Sequence, residues 1–205
     1  MNTKTLLLGM ALGLSLAACS DSGNAAGQGG AVSAGQYSLP AMTNCWVVDS
    51  FFTNNHAYGG GSGGSLFGVT VSNCVVYGSY VVANGGYGGA GYQIRAYDTL
   101  FENNELTNFW YAIAGGGALA DSTAVNCVFK GNKDVGTSAA GACFNVEMTN
   151  CLVYGNETVG GSYGGSTVYS ARPVVNCTIV SNTVPPDYAA CVGNFVNCII
   201  ADNGP

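Results

Sequence analysis

One short pattern recurs along most of this chain and limits what it can fold into. The pattern is Asn or Asp, then Cys, Ser or Thr, then two mostly apolar residues and a turn, as in Asn150-Cys151-Leu152-Val153-Tyr154-Gly155-Asn156. Its second positions fall at residues 50, 74, 99, 127, 151, 177 and 198, so successive copies are 24, 25, 28, 24, 26 and 21 residues apart. Such a period indicates stacked repeats in which each unit contacts only its neighbours.

A second repeated position, a glycine, lies before the Asn or Asp of the pattern. Glycine lies nine residues before four of the Asn/Asp positions, at Gly64, Gly89, Gly117 and Gly141. In the eight residues between, small or apolar side chains alternate with more polar ones, which include Gln93, Arg95, Asp121, Thr123, Asn145 and Glu147. Alternation with a period of two is typical of a half-buried strand. Each unit is therefore predicted to hold at least two strands, with a bend at the Asn or Asp between them.

Composition favours strands over helices. Charged residues make up 8% of the 205 residues, and there are 32 glycines. Branched and aromatic side chains pack well on strands, while Gly and Asn tolerate the dihedral angles of turns. A unit of this length without a helix signal is too short for a propeller blade. We predict an all-β fold, a single-stranded parallel β-helix (solenoid) of about seven coils over residues 39–205, with equivalent side chains stacked about 4.8 Å apart.

Two local motifs resemble a known group of proteins. Corners such as Gly116-Gly117-Ala118 and turns such as Phe129-Lys130-Gly131-Asn132 are similar to the parallel β-helix repeats of exported bacterial proteins. That group includes pectin-lyase-like folds and the repeat region of polymorphic outer-membrane proteins. The resemblance covers about residues 40–205 and implies a right-handed helix. It implies an architecture rather than an activity, because one fold hosts many functions.

The first nineteen residues have the pattern of an export signal. Lys4 supplies the positive start, and the apolar run over residues 6–16 is too short to span a bilayer. The sequence Leu16-Ala17-Ala18-Cys19 resembles the bacterial lipobox, which implies removal of residues 1–18 and lipid attachment at Cys19. Ser20 after this cysteine implies export to the outer membrane. A secreted protein without lipid is the alternative interpretation.

These features predict a lipid-anchored protein of the bacterial outer membrane or cell surface, whose first partner is the membrane itself. Residues 19–38 have little apolar content to bury, so they are predicted to be a flexible tether. A formal net charge of −6 disfavours nucleic acid as a partner.

Nine cysteines in an exported chain first suggest disulfides. Five of them share one repeat position, namely Cys74, Cys127, Cys151, Cys177 and Cys198. Other coils place Ser50 and Thr99 there, and parallel side-chain directions in a stack fit disulfide geometry poorly. These cysteines are therefore predicted to be free and buried. No metal or other cofactor is predicted, because the column does not converge on one point and His56 is the only histidine.

The Asn/Asp column has two interpretations. Asp49 and Asp98 could bind calcium, but they lie two coils apart with Asn73 between them. Mutual hydrogen bonds between stacked side chains at a bend are the interpretation that we adopt.

Arg95, Asp121 and Glu147 are the candidate catalytic residues, since they occupy polar places of consecutive strands. Stacking could bring Asp121 and Glu147 within the roughly 5–9 Å that suits a carboxylate pair, with Arg95 as a base or as a ligand for an acidic sugar. The resemblance implies several acids and bases near one groove in family lyases, and this chain has too few charges for a full set. A solvated polar face is the interpretation that we prefer.

Aromatic residues beside glycine-rich corners are the candidate ligand-binding residues. Tyr58, Tyr87 and Tyr163 precede glycines, and Trp110 and Tyr111 belong to the longest coil. Glycine cannot shield a neighbouring ring, so a row of exposed rings could stack on sugars or contact a protein partner. Local packing over the corners is the alternative.

The preferred hypothesis is a non-enzymatic cell-surface lipoprotein whose β-helix rod presents an adhesion or glycan-binding face. The alternative is a polysaccharide lyase or glycoside hydrolase of the pectin-lyase-like fold that uses Arg95, Asp121 and Glu147. A third interpretation is a truncated piece of a longer adhesin, because the last unit ends at Asn203-Gly204-Pro205 without a capping segment. An open β-helix end exposes unpaired backbone groups, which predicts end-to-end self-association.

Overall fold

The computed structural model describes residues 31–33, 45–58, 61–109, 115–136, 140–160 and 165–204. The fold is all-β, and its strands pair in parallel to form a β-solenoid of about six turns. The predicted parallel β-helix is confirmed, and the number of turns is close to the predicted seven coils.

Each full coil contains four short strands, so the solenoid has four faces, which we name A to D. Face A contains Val32–Ser33, Leu66–Phe67, Gly91–Tyr92, Leu119–Ala120 and Ala140–Phe144. Face B contains Trp46–Val48, Thr70–Ser72, Arg95–Tyr97, Thr123–Val125 and Glu147–Thr149. Strands Ser166–Val175 and Cys191–Val196 belong to both faces, and Ser166–Val175 joins them in one 12-stranded sheet.

Faces C and D are separate sheets of seven and five strands. Face C contains Phe51–Thr53, Val75–Tyr77, Leu100–Glu102, Val128–Lys130, Leu152–Tyr154, Thr178–Val180 and Ile199–Ala201. Face D contains His56–Tyr58, Tyr80–Ala83, Glu105–Asn108, Lys133–Gly136 and Glu157–Gly160.

The bend between faces B and C coincides with the Asn/Asp column. These residues have φ between 48° and 55°, and they are Asp49, Asn73, Asp98, Asn126, Asn150, Asn176 and Asn197. Asn and Asp adopt this left-handed conformation more readily than other non-glycine residues, because their short polar side chains can hydrogen-bond locally. Asn73 Nδ2 donates to Asp49 Oδ1 at 2.6 Å, and Asn126 Nδ2 donates to Asp98 Oδ1 at 3.1 Å. The predicted bend and its side-chain hydrogen bonds are both confirmed.

The core is a set of columns that run along the solenoid axis. On face C the inward column is Phe52, Val76, Phe101, Phe129, Val153 and Ile179, in register from coil to coil. Phe101 and Phe129 are fully buried and stack with ring centroids 5.2 Å apart. Burying each such side chain contributes about 1.5–3 kcal/mol. Because the inward positions are fixed by this packing, the outward positions are the ones free to carry function.

The glycine register reflects a close approach between coils at the corner between faces D and A. A Cβ atom on Gly89 would collide with the carbonyl oxygen of Gly117, and one on Gly117 would collide with that of Gly141. Only glycine permits this spacing, so the register marks the corner where each coil begins.

The structure differs from the sequence analysis at the start of the solenoid. Val32–Ser33, which fall inside the predicted tether, pair with Leu66–Phe67 in parallel. Ala31 and Val32 pack against the core, because they form a short apolar island among glycines. The described solenoid therefore includes residues before the predicted boundary at residue 39.

Candidate functional site

The cysteine column is a structural hydrogen-bonding ladder. Its side chains donate to the carbonyl oxygen two residues earlier: Cys151 Sγ to Thr149 O at 3.3 Å, Thr99 Oγ1 to Tyr97 O at 2.7 Å, and Ser50 Oγ to Val48 O at 2.8 Å. Thiol and hydroxyl groups are interchangeable here because each supplies one donor on a short side chain.

All five ladder cysteines are free, as predicted. Four are buried, and Cys198 in the last coil is half-buried. Cys45, which lies outside the ladder, is disulfide-bonded.

The environment of the ladder raises the pKa of two of its thiols, Cys151 and Cys177. A hydrogen bond with Cys127, together with burial, raises the pKa of Cys151 to about 12. A hydrogen bond with Cys151, together with burial, raises the pKa of Cys177 as well. A protonated thiol is a poor nucleophile and a poor metal ligand. Within the described ranges, no group of three or more His, Cys, Asp or Glu side chains could hold a metal ion.

A second ladder, which the sequence analysis missed, lies at the bend between faces C and D. Its members point inward and are Asn104, Asn132, Asn156, Asn182 and Asn203. Each Nδ2 of the first four donates to the Oδ1 of the next at 2.8–2.9 Å. The repeat contained this asparagine as the final turn residue of its motif, and only the register shows that the side chain is internal.

The site with the most varied chemistry is a surface cavity of about 160 Å³ at the bend between faces A and B. Its polar lining comes from four coils and includes Thr70, Gln93, Arg95, Asp121, Thr123 and Arg172; the coil of Glu147 lies between the last two of these coils and contributes no lining residue. Gln93 and Asp121 are themselves bend residues, with φ of 54° and 47°. We call this cavity the A–B groove.

The structure brings together two of the three predicted catalytic candidates. Arg95 and Asp121 both line the A–B groove, and Glu147 is not among its lining residues. Thr123 lies between Arg95 and Glu147 in the register of face B. Asp121 occupies a bend instead of the strand position that its alternation indicated, and its Oδ1 accepts a 2.6 Å hydrogen bond from Asn145.

Arg172 is the residue of the groove that the sequence analysis missed. The register shifts between Ser170 and Pro173, and the Arg172 amide donates to Ser170 Oγ at 3.1 Å. This irregularity takes Arg172 out of the repeat alignment. The signal in the sequence was a basic residue before proline at the place where other coils bend.

The charge of the groove is unusual for this chain. Lys130 and Lys133 are paired with Glu102 and Glu157, at 2.6 and 2.9 Å. Neither arginine has an ion-pair partner within the described residues. Two arginines without an ion pair among the described residues therefore line one cavity of an acidic protein.

An aromatic pair with one exposed and one half-buried ring continues the groove across face B. The rings of Trp46 and Tyr97 are nearly parallel, at 14°, with centroids 6.3 Å apart, and Trp46 is 48% exposed. Thr70 of the groove is the register partner of both Trp46 and Arg95. The sequence pattern does not predict this pair, because neither ring lies beside a glycine.

The predicted ligand-binding aromatics have different surroundings. Tyr58 is 60% exposed on face D, where its hydroxyl lies 3.1 Å from His56 Nδ1. Tyr87 is half-buried and stacks on Tyr92, with centroids 5.1 Å apart, which is the local packing that we named as the alternative. Trp110, Tyr111 and Tyr163, like the lipidation candidate Cys19, lie outside the described residues.

Comparison with protein-family models, with curated proteins and with solved structures found no match. The described residues contain no helix long and apolar enough to cross a membrane.

Proposed function

We propose that this protein is a non-enzymatic, exported lipoprotein whose rigid β-helix binds glycans at the bacterial surface. The A–B groove and the adjacent Trp46–Tyr97 pair form the binding face, and the favoured ligand is a sugar that carries a carboxylate. The observation that carries this proposal is that Arg95 and Arg172 line one cavity beside the stacked pair of Trp46 and Tyr97.

The chemistry of this face suits such a ligand. A guanidinium group binds a carboxylate through two parallel hydrogen bonds. Thr70, Thr123 and Gln93 supply hydroxyl and amide groups for sugar hydroxyls. The apolar face of a pyranose ring can stack on an exposed indole such as Trp46.

The size of the cavity favours surface recognition over enclosure. At about 160 Å³, the A–B groove is smaller than the roughly 300–1,000 Å³ of pockets that enclose drug-sized ligands. A longer glycan would therefore lie along face B, with one unit in the groove.

A lyase or hydrolase is the second candidate, and the meeting of Arg95 and Asp121 in one groove favours it. Arg95 would take the proton or bind the acidic sugar, and Asp121 would supply the carboxylate. The position of Glu147 outside the groove lining leaves this set without its second acid.

A glycan array with neutral and acidic oligosaccharides, run beside assays for the unsaturated products of a lyase and the new reducing ends of a hydrolase, separates the two candidates. If the proposal is right, the wild-type protein binds acidic glycans and releases no cleavage product. The variant Tyr58→Ala, on face D, should bind them as the wild type does. Unsaturated product that is lost in Asp121→Asn and kept in Glu147→Gln would refute the non-enzymatic proposal. An array without any bound glycan would refute glycan binding.

Anchoring at Cys19 rests on the lipobox pattern of the sequence. Metabolic labelling with an alkyne fatty acid tests it, since wild-type protein should incorporate the label and Cys19→Ala should not. Equal labelling of the two proteins would contradict attachment at this residue.

A further inference from the structure

The outward column of face C is an apolar stripe along the whole described solenoid. In register, its members are Phe51, Val75, Leu100, Val128, Leu152, Thr178 and Ile199. Phe51 and Ile199 at its ends are 67% and 63% exposed, and Leu152 is 36% exposed. We call this column the face C stripe.

The equivalent columns on the neighbouring faces are polar or mixed. On face B the column is Trp46, Thr70, Arg95, Thr123 and Glu147. On face D it is His56, Tyr80, Glu105, Lys133 and Glu157. Face D has a second outward column that is also mostly apolar, namely Tyr58, Val82, Thr107, Val135 and Val159, but it is two coils shorter than the face C stripe. A long apolar patch with a polar surround marks an interaction site.

We infer that the face C stripe packs against the same stripe of a second copy of this chain, with the coil order reversed. Sheets pack face to face about 10 Å apart, and parallel strands of one sheet repeat about every 4.8 Å. A second copy presents side chains at the same repeat, so each coil of one copy can face a coil of the other. The resulting dimer has a two-fold axis parallel to the strands.

Charge fixes the register of this dimer. Beside the stripe, Glu102 and Lys130 lie at equivalent positions of adjacent coils and form an ion pair. A two-fold axis between the coils of Leu100 and Val128 places Glu102 of each copy opposite Lys130 of the other. Two further attractive pairs then flank an apolar centre in which Leu100 meets Val128 of the second copy.

A lipid surface fits the stripe less well. Asp49 and Asp98 line the bend beside it, and the chain has a formal net charge of −6, so an anionic membrane would repel this face. The same acids remain at the solvated rim of the dimer, because the bend turns away from face C.

The dimer should be transient at low concentration. The stripe crosses six inter-coil steps, which is about 29 Å at the standard strand spacing, and it is one residue wide. An interface of this extent falls in the small class below about 1,200 Å² of total buried area, in which weak and reversible complexes are found.

Sedimentation equilibrium of the full chain over a wide concentration range tests the inference, with circular dichroism to verify folding. Wild-type protein should show a monomer–dimer equilibrium. Leu152→Asp should raise the dissociation constant at least about tenfold, because it places a charge in the apolar stripe opposite Val75 of the second copy. Val159→Asp is the matched control, since Val159 has nearly the same exposure, 38%, but lies on face D. It should leave the equilibrium unchanged.

The charge pair supplies a test of the register. Glu102→Lys should weaken the dimer, and the double variant Glu102→Lys/Lys130→Glu should restore it. A monomer at every concentration, equal effects of Leu152→Asp and Val159→Asp, or no restoration in the double variant would overturn the inference. Weakening by Ile200→Asp alone would also overturn it, because Ile200 lies in the inward column of the last coil and reports end-to-end association.

Discussion

Replacing Asn132 by alanine should destabilise the centre of the solenoid more than any other single polar change that we consider. Its Oδ1 accepts hydrogen bonds from the backbone amide and from Nδ2 of Asn104, at 3.0 and 2.9 Å. Its Nδ2 donates to Phe101 O and to Asn156 Oδ1, both at 2.9 Å. Asn132 is fully buried, so water cannot replace these partners. Four hydrogen bonds at about 1 kcal/mol each give an expected loss of about 4 kcal/mol.

Asn203→Ala is the matched control at the open end of the same ladder. Asn203 makes three such bonds, with Asn182 N, Asn182 Nδ2 and Ile179 O, but it is only partly buried. Water can hydrate the groups that this substitution leaves, so we expect a loss of about 1 kcal/mol. The two variants remove the same chemical group from one column and differ mainly in burial.

Urea unfolding followed by far-ultraviolet circular dichroism gives the two free energies of unfolding. Hydrogen exchange adds a local measure, since the Asn104 amide should lose protection in Asn132→Ala. Equal losses in the two variants, or an Asn104 amide that stays protected, would refute the view that the internal asparagine ladder stabilises the stack.

Three further predictions concern the thiols and the corner aromatics. Cys151→Ser should change the free energy of unfolding by less than about 1 kcal/mol, because the hydroxyl keeps the donor. Cys151→Val should lower it by about 1–3 kcal/mol, because Thr149 O loses its donor. Urea unfolding that shows no difference between the two variants would mean that the ladder merely fills space. The free energy of unfolding should fall as pH rises from about 9 to about 12, because the pKa of the Cys151 thiol is near 9.0 in the unfolded chain and about 12 in the folded one. If the free energy of unfolding of Cys151→Ser has the same pH slope as that of the wild type, this prediction is wrong. Tyr87→Ala should cost about 1–3 kcal/mol by removing a half-buried ring that stacks on Tyr92, with unchanged glycan affinity in titration calorimetry. Reduced affinity in a stably folded variant would make Tyr87 a ligand residue.

The repeat made the fold predictable because each coil repeats the same local solution. Asn150 and its equivalents mark a left-handed bend wherever they occur, and the exchange of Cys151 with Ser50 or Thr99 indicated a packing position before any distance was known. The inward ladder of Asn132 was not predictable in the same way. A turn asparagine can face water or the core, and only the register decides between them.

The candidate site was predictable in part, and its missing parts share one physical cause. The alternation pattern correctly predicted an outward strand position for Arg95. It also predicted a strand position for Asp121, which is a bend residue in the structure. The bulge before Pro173 shifts Arg172 out of the repeat. Departures from a straight strand therefore shape the groove: a bend at Asp121 that recurs at Gln93 and Asn145, and a bulge beside Arg172, neither of which alternation alone reveals.

The most direct test of the proposed function is the affinity of an acidic oligosaccharide for single arginine variants, measured by titration calorimetry. Arg95→Ala and Arg172→Ala should each weaken binding at least tenfold, because a hydrogen-bonded guanidinium–carboxylate contact contributes about 1.5–3 kcal/mol. Lys133→Ala, which removes the same charge from the ion pair with Glu157 on face D, should bind as the wild type does. Equal weakening in all three variants would mean that binding depends only on net charge. Unchanged affinity in both arginine variants would contradict the proposal that the A–B groove is the binding site.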